Sequence, residues 1–567
     1  MKPFIALILS TFPCFCFSQS YPEKYFGNPI DPPFILAGTF GEIRSDHFHS
    51  GIDFSTSEIE NKPVYAAAKG YVSRIKISSV GFGKAIYITH PNGYVTVYAH
   101  LNRFSSKIEK YVRQKQYEKE SFEIELFPTI TDFLIKKGDL LGYSGNTGSS
   151  DGPHLHFEIR DEKTEEPINP ELFGYKIPDI IRPDIRLLRV VPMKGMGIVE
   201  TTDTARTYRL IKLADGTYSI ESKDTIKVFG KIGFEFSVQD EQKTKGNSLG
   251  IYSMQLKIDS SIVYSYKYQR FNFSDTRYAN AHIDYAEKIN QGLLFERCFR
   301  LPGNHLKIYH YTTGVYDFKD EKEYTIEATI KDFNSNTSKL KFKIHGHPAL
   351  SNSSYQPLPR DYIPLMPEKG ITIQKPSVEI YIPIGALYER CYFMYTETMQ
   401  HKDFFSPDFI IGNPNVPLHL KMTIGIKLII LPYSLKDRAL IISYNKNGNL
   451  IAEGGYWNGS FLFTETRHFG AFAIAVDTIP PLIDIKNIPG DRNGGDKFRI
   501  FISDELSGIK SYRASLDGKW FLLEYDAKNK VLTGLIEKSK TTENHHFEIR
   551  VIDERNNQSH ASQDFFY

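Results

Sequence analysis

Gly145-Asn146-Thr147-Gly148-Ser149-Ser150-Asp151-Gly152-Pro153-His154-Leu155-His156-Phe157-Glu158-Ile159-Arg160 joins a turn-rich loop to a strand bearing two imidazoles on one face. Read with a period of two, Leu155, Phe157 and Ile159 point into a core, while His154, His156, Glu158 and Arg160 share the opposite face. The two imidazoles then stand ~7 Å apart along the strand. That spacing suits zinc, or one ligand beside a catalytic histidine.

A single H-x-H cannot close a tetrahedral shell, so further donors must come from elsewhere in the chain. Arg44-Ser45-Asp46-His47-Phe48-His49-Ser50-Gly51-Ile52-Asp53 supplies them, with His49 and Asp53 separated by a Ser-Gly-Ile turn that lets them converge. One histidine of the 154–156 pair completes a set of two nitrogens, one oxygen and an open position for water, the composition of a catalytic zinc site. No glutamate of an H-E-x-x-H motif is present, so a histidine must carry the proton. His47 reads either as support for the ligands or as a solvated loop residue.

Gly70–Ile77, Lys84–His90 and Tyr94–His100 alternate as strands of an antiparallel meander, the last two joined by Pro91-Asn92-Gly93, with His90 a hairpin residue. In the third strand Val95, Val97 and Ala99 are expected on one side, and Tyr94, Thr96, Tyr98 and His100 on a polar other side. Tyr94 and Tyr98 either line the groove or pack in the sheet. Between about 105 and 133 the pattern changes: Ile108, Tyr111 and Val112 predict a short amphipathic helix over 106–120, and Ser121–Leu126 a strand, together an excursion beside the main sheet.

Working outward, the first module is expected over 19–176 and to act independently, with Lys176–Pro183 as its exit linker. Short alternating runs predict a β-sandwich over 184–345, a β-rich unit over 370–476 and an immunoglobulin-like sandwich over 480–567. The fold class expected is mainly β, an antiparallel sheet with a metal groove followed by several β-sandwich domains. A 14% aromatic content favours strands, and 41% hydrophobic with 24% charged residues excludes wholesale disorder. A net charge of +2 over 567 residues gives no reason to expect nucleic acid as a partner.

Met1-Lys2-Pro3 followed by an apolar run to Phe17 has the layout of a cleavable export signal over 1–18, with no membrane span expected after its removal. Cys14 and Cys16 fall within it; Cys298 and Cys391 either pair or stand as buried thiols.

His49-Ser-Gly-Ile-Asp53, Val97-Tyr-Ala-His100-Leu101 and Ser144-Gly-Asn-Thr-Gly148 followed by Gly152-Pro-His-Leu-His-Phe-Glu158 resemble, in order, the motifs of lysostaphin-type (LytM-like) zinc endopeptidases of bacterial peptidoglycan. The resemblance covers about 35–172. It implies that His49, Asp53 and His156 bind one Zn2+ ion, and that His154 and His100 are the non-ligating histidines beside the reacting peptide. With all five positions filled, it implies an active, exported enzyme of the periplasm, envelope or exterior that cuts peptide cross-links or stem peptides of peptidoglycan. Envelope proteins are possible partners of the C-terminal β-domains. The alternatives are a protease of secreted proteins and a non-catalytic wall-binding scaffold. The chain departs from the usual pattern in the 105–133 excursion and at Ser57–Lys62, where a shorter glycine turn is common.

Overall fold

The computed structural model describes residues 20–567 except 176, 223–224, 243–247, 312, 353–361, 401–403, 429–430, 446, 490–496 and 537–542. The expected export signal, with Cys14 and Cys16, lies outside the described residues. The protein is mainly β.

The first module contains β1 (Leu36–Gly38), β2 (Ile52–Ser55), β3 (Pro63–Tyr65), β4 (Gly70–Ile77), β5 (Lys84–Thr89), β6 (Tyr94–Phe104), α1 (Ser106–Lys119), β7 (Ile124–Leu126), β8 (Leu134–Ile135), β9 (Leu140–Ser144), β10 (His154–Asp161) and β11 (Pro167–Ile168). The sheet runs β1-β2-β10-β6-β5-β4-β7, with β9 pairing both β6 and β3. β10 lies between β2 and β6, antiparallel to both, with His156 opposite Asp53 on one side and Ala99 on the other. Directly opposed residues have neighbouring Cβ atoms on the same face, so this register alone brings Asp53 to His156.

Leu155, Phe157 and Ile159 enter the main core as their alternation predicts. The reading of β6 is corrected. Tyr98 is fully buried in that core against Phe157, and its hydroxyl accepts a 2.8 Å hydrogen bond from the Ala67 amide. Tyr94 packs on Phe173. The face of β6 that looks toward His156 is instead the one carrying Val97 and Ala99, which cluster with Ala85 and Tyr87. By alternation His100 would follow Tyr98 inward. It escapes because its φ is +58° and the pairing slips on both sides of it, between Lys84/Ile86 and between Leu101/Arg103. A left-handed histidine at a bulge turns its ring to the opposite face.

Between about 105 and 133 the chain forms α1 and the three-residue β7, a shorter strand than the run Ser121–Leu126. Ile108, Val112 and Gln116 are the buried stripe of α1, and β7 adds to the outer edge of β4. At Ser57–Lys62, Ser57, Glu58 and Asn61 all adopt positive φ, so ordinary residues carry the conformation that glycine usually supplies.

Residues 184–346 build a twelve-stranded sheet system. Its core is continuous with that of the first module: Phe40 stacks on Phe271 with ring centroids 5.0 Å apart, and Phe48 meets Tyr268 at 5.6 Å. Two five-stranded sheets close over a shared core within 371–476, and two four-stranded sheets over another within 482–566. The last unit returns to the first: Trp520 packs edge-on against Tyr117, Lys84 pairs with Glu524 at 2.8 Å, and Lys528 donates to the carbonyls of Asn146 and Ser150. Cys298 and Cys391 are buried free thiols. No helix among the described residues is long and apolar enough to cross a membrane.

Candidate metal centre and groove

His49 sits at the close of a small hairpin, its amide donating to Glu42 and its carbonyl accepting from Gly41. Gly51 then crosses β10 so closely that a Cβ there would lie 2.4 Å from the Phe157 carbonyl oxygen, which explains the glycine in the His-Ser-Gly-Ile-Asp turn. His49 Nε2, Asp53 Oδ1 and His156 Nδ1 form a triangle with edges of 3.0, 2.9 and 3.0 Å. Tetrahedral ligands ~2 Å from one ion would stand ~3.3 Å apart, so the triangle is close to the span one zinc requires.

The protons on these rings are fixed from behind. His49 Nδ1 lies 2.7 Å from the Thr39 carbonyl and His156 Nε2 lies 2.9 Å from Glu158 Oε1, both acceptors only. Each ring therefore carries its hydrogen on the outer nitrogen and turns a lone pair inward, toward Asp53 Oδ1. Three acceptors converging within 3.0 Å repel unless a cation or a proton lies among them, and two nitrogens with one carboxylate oxygen suit zinc. The residues fit the group.

The electrostatics agree. Burial alone would raise the Asp53 carboxyl, but His49, His154 and His156 hold it well below the ordinary carboxylate range. Burial lowers His49. His156 is driven down by burial but carried up to about 9 by Asp53 and Glu158, so without a metal this ring takes a proton in its place. Glu158, fully buried, would be raised by that burial, yet Arg160 and His156 bring it to about 2. Arg160 Nε donates to its second oxygen at 2.5 Å, and the guanidinium stacks over Phe273 of the second module. Arg44 Nη2 donates to Asp53 Oδ2 at 2.8 Å, leaving Oδ1 to the site.

The other two histidines flank the triangle. His154 Nδ1 is 2.8 Å from the Gly152 carbonyl and its Nε2 is 3.4 Å from Asp53 Oδ1. His100 Nδ1 is 2.8 Å from the Thr147 carbonyl, and its ring centroid stands 4.8 Å from that of His154. Burial first, then His154 and His156, push His100 down to about 3, so it is a neutral imidazole with a free Nε2. The glycine-rich loop thus has a specific use: its backbone carbonyls orient both rings. The loop holds its course because Gly148, at φ +72°, passes against the Gly81 carbonyl where no Cβ would fit. All five histidine and aspartate positions singled out in the sequence line one open groove of about 850 Å³. His47 lies at its rim, half exposed and bonded to Asp46. His90 is buried at the hairpin, bridging the Lys69 carbonyl and Thr96.

Sequence reading passed over two contributors. Glu158 was legible, since it lies two residues beyond His156 on the same face. Arg44 lay within the quoted run, but nothing in its spacing marks it as the partner of Asp53.

An antiparallel sheet carrying a two-histidine, one-aspartate cluster in an open groove defines a metallopeptidase-like module. Residues 47–117 and 131–170 match peptidase family M23, and the first module is a domain of that family, which implies a metal. Residues 364–477 match the Zu5-like domain. The chain is 31% identical over 136 residues to the DD-carboxypeptidase/endopeptidase Mpg of Neisseria meningitidis serogroup B, covering 24% of this chain and 25% of that protein. It is 30% identical over 119 residues to the peptidoglycan DD-endopeptidase ShyC of Vibrio cholerae, covering 21% of each. The chain thus spans about a quarter of the length of the curated relatives it matches. Among solved structures, the catalytic domain of the prophage-encoded M23 protein EnpA from Enterococcus faecalis is 24% identical, covering 26% of this chain and 98% of that one, with a TM-score of 0.20.

Proposed function

We propose that the protein is an exported zinc metalloendopeptidase that hydrolyses peptide cross-links or stem peptides of cell-wall peptidoglycan. His49, Asp53 and His156 hold one zinc ion, His154 and His100 are the catalytic histidines, and the units over 184–345, 370–476 and 480–567 are accessory β-domains that engage wall or envelope partners. The observation that carries this reading is the convergence of three lone pairs on one point, each fixed from behind by Thr39, Glu158 or Arg44. The likeness to peptidoglycan endopeptidases supports the substrate class.

When bound, zinc supplies Lewis acidity, making water nucleophilic near neutral pH and polarising the scissile carbonyl. The rest falls to the chain. His154 and His100, each with Nδ1 tied to a loop carbonyl, are the two rings placed to take a proton from the attacking water through Nε2. Once one of these rings has taken that proton, its Nε2–H becomes a donor that can hydrogen-bond the developing oxyanion and later pass the proton to the leaving amine. The groove admits an extended, sterically open peptide.

The test is to digest purified sacculi with the full chain and identify the released fragments by mass spectrometry. Release of peptide-linked fragments, abolished by a zinc chelator and restored by zinc, is expected. Intact sacculi with a zinc-loaded protein would overturn the substrate assignment.

A further inference from the structure

A second cluster lies where the first module meets the next. Glu171 belongs to the short 3-10 turn Pro170–Phe173, Asp179 to the connector, Asp240 to the end of strand Ile226–Glu241, and Asp332 follows strand Glu323–Lys331. These four carboxylates line one cavity of about 30 Å³, enough for an ion and little more. Oxygens of Asp179, Asp240 and Asp332 lie within 4.8 Å of one another. Among the described residues, the lining contains no lysine, arginine or histidine.

Most polar atoms nearby are accounted for. Asp332 accepts from the Asn336 amide and side chain, and Asp179 accepts from the Ile181 amide. Gln242, Asn334 and Asn336 strap the connector by its carbonyls. Asp240 is the exception: it is 2% exposed, and its Oδ1 is buried with no hydrogen-bond partner among the described residues. A buried carboxylate oxygen that meets neither donor nor counter-charge among the described residues is costly, and three more carboxylates line the same cavity.

We propose that this joint is a structural site for a hard divalent cation of the calcium class, held by Asp179, Asp240 and Asp332 with Glu171 beside them. All the donors are oxygens, with neither nitrogen nor sulfur, which disfavours zinc, and a cage built from protein oxygens suits calcium better than magnesium, which keeps its waters. Burial, then the neighbouring carboxylates, push Glu171 and Asp240 up to about 8 and Asp332 to about 6; a bound cation removes the reason for that rise. The ion would pin the peptidase module, the connector and two strands of the second module to one point, fixing the wall of the joint beside Phe40.

The test uses the full chain stripped with EGTA, then dialysed against calcium, with bound calcium counted and unfolding followed by calorimetry. Wild type is expected to bind one calcium more than Asp240→Asn, and calcium to raise its first unfolding transition by several degrees, an increment the variant lacks. In EGTA the variant should melt no lower than wild type, since it loses a charge from a repulsive cluster. Should Asp240→Asn fail to fold, Asp179→Asn is read the same way. Equal calcium counts and equal shifts in wild type and variant would place any cation elsewhere, for instance at Asp477, Asp504 and Asp553, and overturn the proposal; so would the absence of any calcium effect on wild type.

Discussion

The groove and the joint both gather charged side chains in a buried place, and they do so by opposite rules. In the groove, nitrogens and carboxylates alternate, and every ring is tethered from behind by an acceptor, so lone pairs are aimed inward by design of the second layer. In the joint only carboxylates meet, and one oxygen is left bare. Mixed nitrogen and oxygen donors with an open side suit a borderline ion doing chemistry; oxygen alone, in a cavity of about 30 Å³, suits a hard ion doing structure.

The largest expected effect lies in the flanking histidines. His154→Ala and His100→Ala should each lower turnover about 10²–10⁴-fold, the range of a lost general acid–base group. If either retains near-normal kcat on released wall peptide, that ring is not catalytic and the groove resembles the joint more than supposed. Next is Glu158→Gln, which removes the charge that fixes the His156 proton; zinc affinity should fall about 10–100-fold. A competition titration with a chromophoric chelator measures it, and an unchanged affinity would mean that the outer layer does not aim the ring.

The inner nitrogen of the same ring sets a pH dependence. In the metal-free protein His156 is raised to about 9, so below that value zinc must displace a proton from Nδ1. Affinity should therefore climb with pH between about 7 and 9, by about tenfold per unit from this group, and level off above. Calorimetry in buffers of different ionisation enthalpy should detect about one proton released at pH 7.5. A flat profile would contradict the coupling.

How much of this was legible depends on distance along the chain. The fold class and the five groove residues follow from strand alternation and from three motifs, because β10 carries two of the five and its register with β2 delivers a third. The position of His100 was foreseen for the wrong reason: alternation put it on one face with Tyr98, whereas Tyr98 is core and the left-handed bulge reverses the ring. Backbone conformation of that kind leaves no periodic trace. The carbonyls of Thr39, Thr147 and Gly152 carry no side-chain signal at all. The joint draws on residues 171, 179, 240 and 332, which no local motif links.

Module independence was likewise read from the linker. Yet Phe40 and Phe48 pack into the second module, so a fragment ending at residue 176 would expose them. The fragment 20–176 should melt below 20–346, with equal melting pointing to a separable core. The smallest effect is expected at Lys528→Ala. Its ammonium braces the carbonyls of Asn146 and Ser150 on the loop that orients His100, and losing an exposed clamp should change KM for sacculi by no more than severalfold, leaving zinc bound.

The most direct test is the zinc content of wild type, His156→Ala and His154→Ala purified side by side and measured by elemental analysis. The account predicts about one zinc per chain in wild type and His154→Ala, and a small residue of that in His156→Ala. Equal loss in both variants would move His154 into the ligand set and contradict the division between holding the ion and moving the proton.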